Sequence, residues 1–361
     1  MNVSKIKSHI GARGVKPFST FDSEDYQSLA NLGCDITQIA QSYSTDALDP
    51  TYTAGSANTP VQFLQNWLPG FVKNLTTARK IDELLGITTI GGWEDEEIVQ
   101  RTMELTGSPV PYGDTSEIPF SSYNFGFEKR TIVRFEEGMT VTVLDEARIA
   151  KMGGNDSEFK REAAMLSLEI LRNKVGFNGY NAGENKTYGM LNDPNLIAYT
   201  NLPDGADGDS IWSSKTFLEI TADIRGAMQD LRTQSGGNID PTSTQITLAV
   251  ATSSVDYLST TSDFGVSVYD WLAKSYPATR IVSVPDFDAA NGGDNVFYLY
   301  SEAPDVDNST DGNQSIMQLV PDKFKTVGVE QRAKGRVEDY SNALAGVLVK
   351  RPYLIVRRSG C

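Results

Sequence analysis

Histidine and cysteine are almost missing from this sequence of 361 residues, and their scarcity limits its chemistry. The chain has one histidine, His9, and two cysteines, Cys34 and Cys361, which stand near opposite ends. A single histidine excludes most zinc sites and leaves little room for a Ser–His or Cys–His pair. Because two distant cysteines form no CxxC motif, we expect both to be plain reduced thiols.

Long apolar runs are missing as well. The longest clean run, residues 344–349, is far shorter than the roughly 20 apolar residues of a membrane-spanning helix, and no stretch of signal-peptide length lies near the N-terminus. We therefore expect a protein that is made and kept in the cytosol, with no membrane partner. Neither GxxxxGKS/T nor GxGxxG occurs, so the sequence predicts no phosphate-cradling loop and no cofactor.

Positive charge is scarce overall but unevenly spread. The chain has 32 Lys and Arg against 47 Asp and Glu, a net charge of −15, which disfavours non-specific binding to nucleic acid. Residues 184–322 hold 6 basic and 20 acidic residues, whereas residues 323–361 hold 9 basic and 3 acidic ones. We expect the basic residues near the C-terminus to pair with the acidic region of the same or a neighbouring chain, rather than with DNA. These basic residues are Lys350, Arg351, Arg357 and Arg358, interleaved with Tyr353.

Apolar periodicity predicts one long helix over residues 157–175, with Asp156 as its N-cap and Gly176 as its stop. Two neighbouring stripes predict a wide buried face. The first stripe is Phe159, Ala163, Leu166 and Ile170, and the second is Ala164, Leu168, Leu171 and Val175.

Alternating residues before this helix predict a long two-stranded ribbon with an elaborate tip. Its strands are residues 96–105 and 131–143, and the segment between them is rich in proline, glycine and serine. An isolated two-stranded ribbon is marginally stable in water, so we expect this one to lie on a partner.

A compact α/β segment follows, and strands close the sequence. Residues 326–337 and 343–356 alternate as strands, and we expect them to pair with the first domain. The α/β segment is predicted to contain a helix from Phe217 to Leu231, a strand at Ile246–Ala251, a helix at Val266–Ser275, and strands at Arg280–Val284 and Val296–Tyr300.

Acidic residues offer only weak candidate sites. The run from Asp305 resembles a calcium loop, but Thr310 and Ile316 replace the required glycine and glutamate, so we interpret it as a solvated acidic loop. Two neighbouring carboxylate pairs leave an acidic glycoside hydrolase open as an alternative function. They are Glu96 with Glu97 and Asp286 with Asp288.

Several runs in the sequence resemble a family of tailed-phage major capsid proteins that have the Hong Kong 97-type capsid fold. The resemblance is strong over residues 79–200 and weak elsewhere. The runs are RKIDELLGI from Arg79, WEDEEI from Trp93, PYGD from Pro111, RTIVRFEEG from Arg130, RNKVGFNGYNAGENKTYGMLNDPNL from Arg172 and VYDWLAKSYP from Val268.

The resemblance implies an α+β protein with a divided domain plan. Residues 1–78 would form an N-terminal arm that embraces a neighbour. Residues 79–180 would form the peripheral domain, with an extended loop at about 103–132 and a spine helix at about 157–175. Residues 181–325 would form the axial domain, and residues 326–361 would complete the peripheral domain.

The function implied by the resemblance is structural and not enzymatic. Copies of the chain would form hexamers and pentamers of an icosahedral virion shell, assembled in the bacterial host cytoplasm around double-stranded DNA without sequence-specific contact. Portal, scaffold or decoration proteins would be further partners. An encapsulin-like shell around a protein cargo is the alternative. We predict no catalytic, cofactor or metal residues, and the candidate inter-subunit contacts are Phe63, Trp67, Phe71, Tyr112, Asp114, Arg351 and Arg357.

Overall fold

The computed structural model describes residues 76–114, 118–151, 154–302, 305–307 and 309–361. Nearly all of the expected N-terminal arm, residues 1–78, lies outside this part. Within the described residues, no helix is long and apolar enough to cross a membrane. Helices and several separate sheets make up an α+β fold.

The described part of the chain forms six α-helices and twelve strands, numbered in chain order. The helices are α1 (Ile81–Leu85), α2 (Val143–Lys151), α3 (Asp156–Asn178), α4 (Phe217–Gln234), α5 (Thr252–Val255) and α6 (Val268–Ser275). The strands are β1 (Glu97–Thr106), β2 (Ser122–Thr131), β3 (Val133–Thr142), β4 (Thr200–Asn201), β5 (Ile246–Ala251), β6 (Thr279–Val284), β7 (Val296–Ser301), β8 (Ile316–Leu319), β9 (Asp322–Arg332), β10 (Gly335–Leu344), β11 (Gly346–Val349) and β12 (Ile355–Ser359).

The main core surrounds a five-stranded sheet of order β4-β12-β7-β5-β6. Strands β5 and β7 are buried along their whole length, as their nearly continuous apolar sequences require. Helix α4 covers one face of the sheet, where Trp212 packs on Phe297. Helix α1 and the end of α3 cover the other face, where Phe177 and Phe287 pack near Tyr298.

The last strand differs from the expectation that all of residues 326–361 return to the first domain. Strand β12 pairs antiparallel with β7 and parallel with β4, so it belongs to the five-stranded sheet. The predicted strand 343–356 is interrupted by a short 3₁₀ turn at Pro352–Leu354, which separates β12 from β11. Periodicity alone did not reveal that break, because both flanking segments are apolar.

A second sheet, of order β3-β10-β9, packs against α3. In this sheet the predicted single strand 326–337 is a hairpin, because β9 ends at Arg332 and β10 begins at Gly335. The turn lies in the polar run around Lys334, where no apolar alternation marks the reversal of the chain. A third pair, β8 with β11, lies beside these strands.

Helix α3 is longer than predicted at both ends. Its N-cap is Asn155, whose side chain accepts a hydrogen bond from the backbone N–H of Glu158, and its C-cap is Gly179. Gly176 is an interior residue that faces α1, where an added Cβ would lie 2.6 Å from Cγ1 of Ile81. This glycine therefore permits close packing of two helices and does not stop the helix.

The predicted wide buried face of α3 is only half correct within one chain. Ala164, Leu168 and Val175 of the second stripe are buried against the sheets. In the first stripe, Phe159 and Ile170 are exposed. One apolar stripe thus contributes to the fold of the subunit, and the other is left on its surface.

Candidate functional site

A projecting hairpin, formed by β1 and β2, carries the most distinctive surface of the described chain. The two strands pair antiparallel from Glu97 opposite Thr131 to Thr106 opposite Ser122. The predicted partner of β1, residues 131–143, was wrong, because β3 pairs with β10 instead. The true partner β2 alternates aromatic and polar residues, and this signal was hidden behind the proline, glycine and serine residues that precede it.

The two faces of the hairpin differ sharply in polarity. Residues directly opposite each other in an antiparallel pair project on the same side, so the register assigns each side chain to a face. One face carries six large apolar residues, which are 45–76% exposed. We call this the apolar face; its apolar residues are Val99, Met103, Leu105, Tyr123, Phe125 and Phe127, and it also carries Arg101, opposite Phe127, and Lys129, opposite Val99. The opposite, polar face carries Gln100, Thr102, Glu104, Asn124 and Glu128.

The tip of the hairpin adds further exposed apolar residues. Tyr112 is 93% exposed, and Val110, Ile118 and Phe120 are exposed beside it in sequence. Asp114 is exposed as well. The structure therefore places Tyr112 and Asp114 where another molecule can reach them, and their role as inter-subunit contacts stays a prediction.

The root of the hairpin, in contrast, is buried. Ile98 packs with Ile132 in a small apolar cluster, and Arg130 is 1% exposed. Its Nη2 donates to Oδ2 of Asp193 at 2.6 Å. Burial raises the pKa of the Asp193 carboxyl, and the neighbouring Arg130 guanidinium opposes that rise. The pair therefore joins the hairpin to the body through an ion pair that is shielded from water.

Arg351 is buried within its own chain, and its role as an inter-subunit contact stays a prediction. It is 4% exposed, and its Nε donates to Oδ2 of Asp307 at 2.8 Å while its Nη2 donates to Oδ1 of Asp311 at 2.8 Å. Nζ of Lys350 lies 3.2 Å from Oδ2 of Asp311. The expected pairing of the basic C-terminal residues with the acidic region is confirmed at this loop, within one chain.

The same contacts correct the interpretation of this loop as simply solvated. Although burial alone would raise the pKa of Asp311, hydrogen bonds from Arg351 and Lys350 lower it to about 2. Hydrogen bonds from Arg351 also lower the pKa of Asp307 well below its usual range. Both carboxylates are therefore ionised at neutral pH and tie their loop to the C-terminal segment.

Arg357 is likewise buried and contacts residues of its own chain. It is 8% exposed, and its Nε donates to the carbonyl oxygen of Ile197 at 2.6 Å. Its guanidinium carbon lies 4.1 Å from the ring centroid of Tyr199. These contacts join β12 to the segment before β4 within one chain, and the role of Arg357 as an inter-subunit contact stays a prediction.

The other residues singled out in the sequence are the remaining predicted contacts and the two cysteines. Phe63, Trp67, Phe71 and Cys34 lie outside the described residues. Cys361 is a free thiol whose burial raises its pKa to about 12. In the described part, no group of three His, Cys, Asp or Glu residues is arranged to hold a metal ion.

Each of the four carboxylates considered for glycoside hydrolysis has a partner of its own. Oε1 of Glu96 lies 3.3 Å from Nη2 of Arg134, and Oε2 of Glu97 lies 2.8 Å from Nζ of Lys129. Asp286 accepts a hydrogen bond from Nδ2 of Asn173 at 3.1 Å. Asp288 accepts hydrogen bonds from the backbone and hydroxyl of Ser253, at 3.0 and 2.7 Å. All four therefore act in structural contacts.

Comparison with known proteins connects this architecture to viral shells. The family model described as Pa193 gp26 major capsid protein matches residues 50–360. A solved structure, the capsid of Myoviridae phage XM1, is 14% identical at a TM-score of 0.66. The match covers 83% of this chain and 98% of the chain in that structure. The capsid of a native GTA particle is 8% identical at a TM-score of 0.57, covering 87% and 99%. Mycobacterium phage Ogopogo is 12% identical at a TM-score of 0.51, covering 83% and 98%. No curated protein matches the sequence.

Proposed function

Because this chain belongs to the family of the Pa193 gp26 major capsid protein, we propose that its copies build the icosahedral shell of a tailed bacteriophage. The chain is a major capsid protein, and it has the Hong Kong 97-type capsid fold that its sequence resembles. Both of these expectations are confirmed. The form of the shell, its contents and its contacts are the proposal.

The observation that carries this proposal is the uncovered apolar face of the hairpin. Fully burying one large apolar side chain contributes about 1.5–3 kcal/mol, so six that are already half covered offer roughly 5–9 kcal/mol on docking. Association itself costs about 4–15 kcal/mol. A single hairpin contact is therefore weak and reversible, and it becomes effective only when a closed lattice repeats it.

The proposed partners follow from this requirement for repetition. Copies of the chain form hexamers and pentamers, in which each hairpin lies on an adjacent subunit and residues 1–78 embrace a neighbour. A portal protein and scaffold or decoration proteins complete the particle in the bacterial host cytoplasm. Packaged double-stranded DNA fills the shell without sequence-specific contact, and the net charge of −15 disfavours non-specific adhesion of that DNA to the shell. The protein acts by binding and carries out no reaction.

A matched pair of hairpin variants tests the proposal. Phe125→Ser combined with Phe127→Ser removes two aromatic rings from the apolar face, and Thr102→Ala combined with Asn124→Ala changes the polar face of the same hairpin. We expect the native chain and the polar-face variant to form icosahedral shells in electron micrographs. The apolar-face variant should remain as free subunits or small oligomers with an unchanged unfolding temperature, since these rings are outside the core.

Three outcomes would contradict the proposal at different levels. Normal shells from the apolar-face variant would show that this face does not drive assembly. Tubes or dispersed monomers from the native chain, under all conditions tried, would overturn the proposed shell itself. Native shells that hold a protein cargo in place of DNA would replace the virion with an encapsulin-like compartment.

A further inference from the structure

The hairpin is held at its root, and its outer part is exposed in the part of the chain that the structure describes. Every described residue from Arg101 to Phe127 is exposed. Ten residues of strand extend about 30 Å, so a tilt of about 10° at the root moves the tip by roughly 5 Å. Apolar contacts are lost within such a distance. The direction of the hairpin must therefore be set where it leaves the body.

Arg130 is the residue at that point with the most complete set of contacts. Besides the pairing with Asp193, its Nε donates to the carbonyl oxygen of Val347 at 3.1 Å. Its guanidinium carbon lies 5.1 Å from the ring centroid of Tyr188. The guanidinium is thus fixed from three directions by residues that lie 58–217 positions away in the chain, which no local turn requires.

Backbone contacts reinforce the same junction. The N–H of Lys186 donates to Oγ1 of Thr131 at 3.1 Å, and the hydroxyl of Thr187 donates to the carbonyl oxygen of Thr131 at 2.8 Å. On the other side, the N–H of Val347 donates to the carbonyl oxygen of Tyr188 at 2.7 Å. Gly346, at φ +74°, allows this approach, since a Cβ there would lie 2.2 Å from the same oxygen.

We propose that these contacts form a root clamp that sets the direction of the hairpin and thereby permits shell assembly. The root clamp consists of Arg130, Thr131, residues 186–188 and Asp193. It assigns a physical role to the TYGMLNDP run, which the sequence alone linked only to a family. The inference rests on the proposed function, because direction matters only if the hairpin docks on another copy.

The root also has support that does not depend on the clamp. Ile98 and Ile132 pack with Met317, Leu319 and Leu348 in an apolar cluster. Loss of the clamp should therefore leave the hairpin attached and the subunit folded, but free to tilt. Arg130 is a positioning residue in this sense, separate from the apolar face that makes the contact.

The test replaces Arg130 and Asp193 together, so that neither buried charge is left alone. Glu128, whose Oε1 also accepts from Nη1 of Arg130, has a side chain that is 33% exposed and can be solvated when Arg130 is replaced. Arg130→Met combined with Asp193→Asn is compared with Lys215→Met combined with Asp223→Asn. The control pair, Lys215 with Asp223, is equally buried, at an N–O distance of 2.7 Å, but Asp223 lies in α4 and Lys215 just before it, far from the hairpin in sequence. Shell yield and shape are measured by electron microscopy, and amide hydrogen exchange is measured in both variants.

The two variants should separate folding from positioning. In the clamp variant we expect at least tenfold faster exchange at the Thr131 and Lys186 amides, unchanged exchange in β5 and β7, and a tenfold lower yield of closed shells. In the control variant we expect shells at the native yield. Arg130→Lys keeps the charge but loses part of the hydrogen bonding, so its yield should lie between those of the native chain and the clamp variant.

Each outcome decides between the two proposals. Native shell yield and shape from the clamp variant would overturn the positioning role while leaving the proposed function intact. If the native chain itself forms no shells, the proposed function fails, and unchanged exchange at Thr131 and Lys186 would overturn the clamp independently. If the clamp variant does not fold, Arg130→Lys decides, and a native yield from it would overturn the inference.

Discussion

Strands β2 and β7 each carry three aromatic residues but place them in opposite environments. In β7, Phe297, Tyr298 and Tyr300 are buried between the helices that cover the five-stranded sheet. In β2, all three aromatic residues lie on the exposed apolar face of the hairpin. The difference shows two uses of the same side chains, one to fold a subunit and one to join subunits.

Charged residues show the same division. Around the five-stranded sheet, Lys215 and Asp223 form a buried ion pair. Arg351, also buried, forms ion pairs with Asp307 and Asp311 of a loop. On the hairpin, Lys129 and Glu97 form a pair whose side chains are each about half exposed. Ion pairs thus help to fix the body, whereas the outer hairpin depends on its apolar face.

The largest expected effect comes from Phe297→Ala in the core. Removing a fully buried phenylalanine leaves a cavity, so we expect the free energy of unfolding to fall by about 3–5 kcal/mol. The same substitution at Phe125 on the hairpin should change it by less than about 0.5 kcal/mol, as for most exposed positions. Urea denaturation of the two unassembled variants measures both, and equal losses would remove the distinction between the two regions.

A smaller effect is expected on acidification of the loop held by Arg351. The folded-state pKa values of Asp307 and Asp311 are depressed, so their contribution is present above about pH 4 and is lost as the pH falls towards about 2. Allowing for partial exposure, we expect a loss of about 1–2 kcal/mol. Urea midpoints between pH 2 and pH 7 should show this slope in the native chain.

Asp307→Asn combined with Asp311→Asn provides the control for the acid titration. This variant should lose stability at pH 7 and show a flatter profile between pH 4 and pH 2. Identical profiles for the variant and the native chain would mean that the ion pairs of Arg351 with Asp307 and Asp311 contribute nothing to stability.

The smallest expected effect is that of Glu97→Gln on the hairpin. Its partner Lys129 is half exposed, and pairs of this kind contribute about 0–1 kcal/mol. We expect a change in the free energy of unfolding below about 0.5 kcal/mol and shells at the native yield. A strong loss of shells would show that charge on the hairpin matters as much as its apolar face.

The buried α/β segment was the most predictable part of the fold. Strands β5, β6 and β7 are short apolar runs that end at turns, and helix α4 has a regular apolar stripe, so local sequence defined each of them. Helix α2 was missed because it is short, has no buried residue and continues directly from β3. Strand β8 was missed because it is short and contains Gln318.

The candidate site was predictable in outline but not in its pairings. The ribbon and its need for a partner could be inferred, because alternation and turn residues are local features. The choice of β2 over β3 as the partner of β1, and of the five-stranded sheet for β12, depends on contacts between distant segments. The burial of Arg351 is equally invisible in sequence, since its carboxylate partners lie 40 and 44 residues away.

The position of β12 has a consequence for the order of events during synthesis. Residues 355–359 insert between β4 and β7, so the five-stranded sheet has a gap until this segment leaves the ribosome. Domains generally fold as units while the chain is being made, and pairings distant in sequence form slowly. A nascent chain that has already made its hairpin therefore still has an incomplete five-stranded sheet. A subunit that is able to assemble can form only after translation has passed β12.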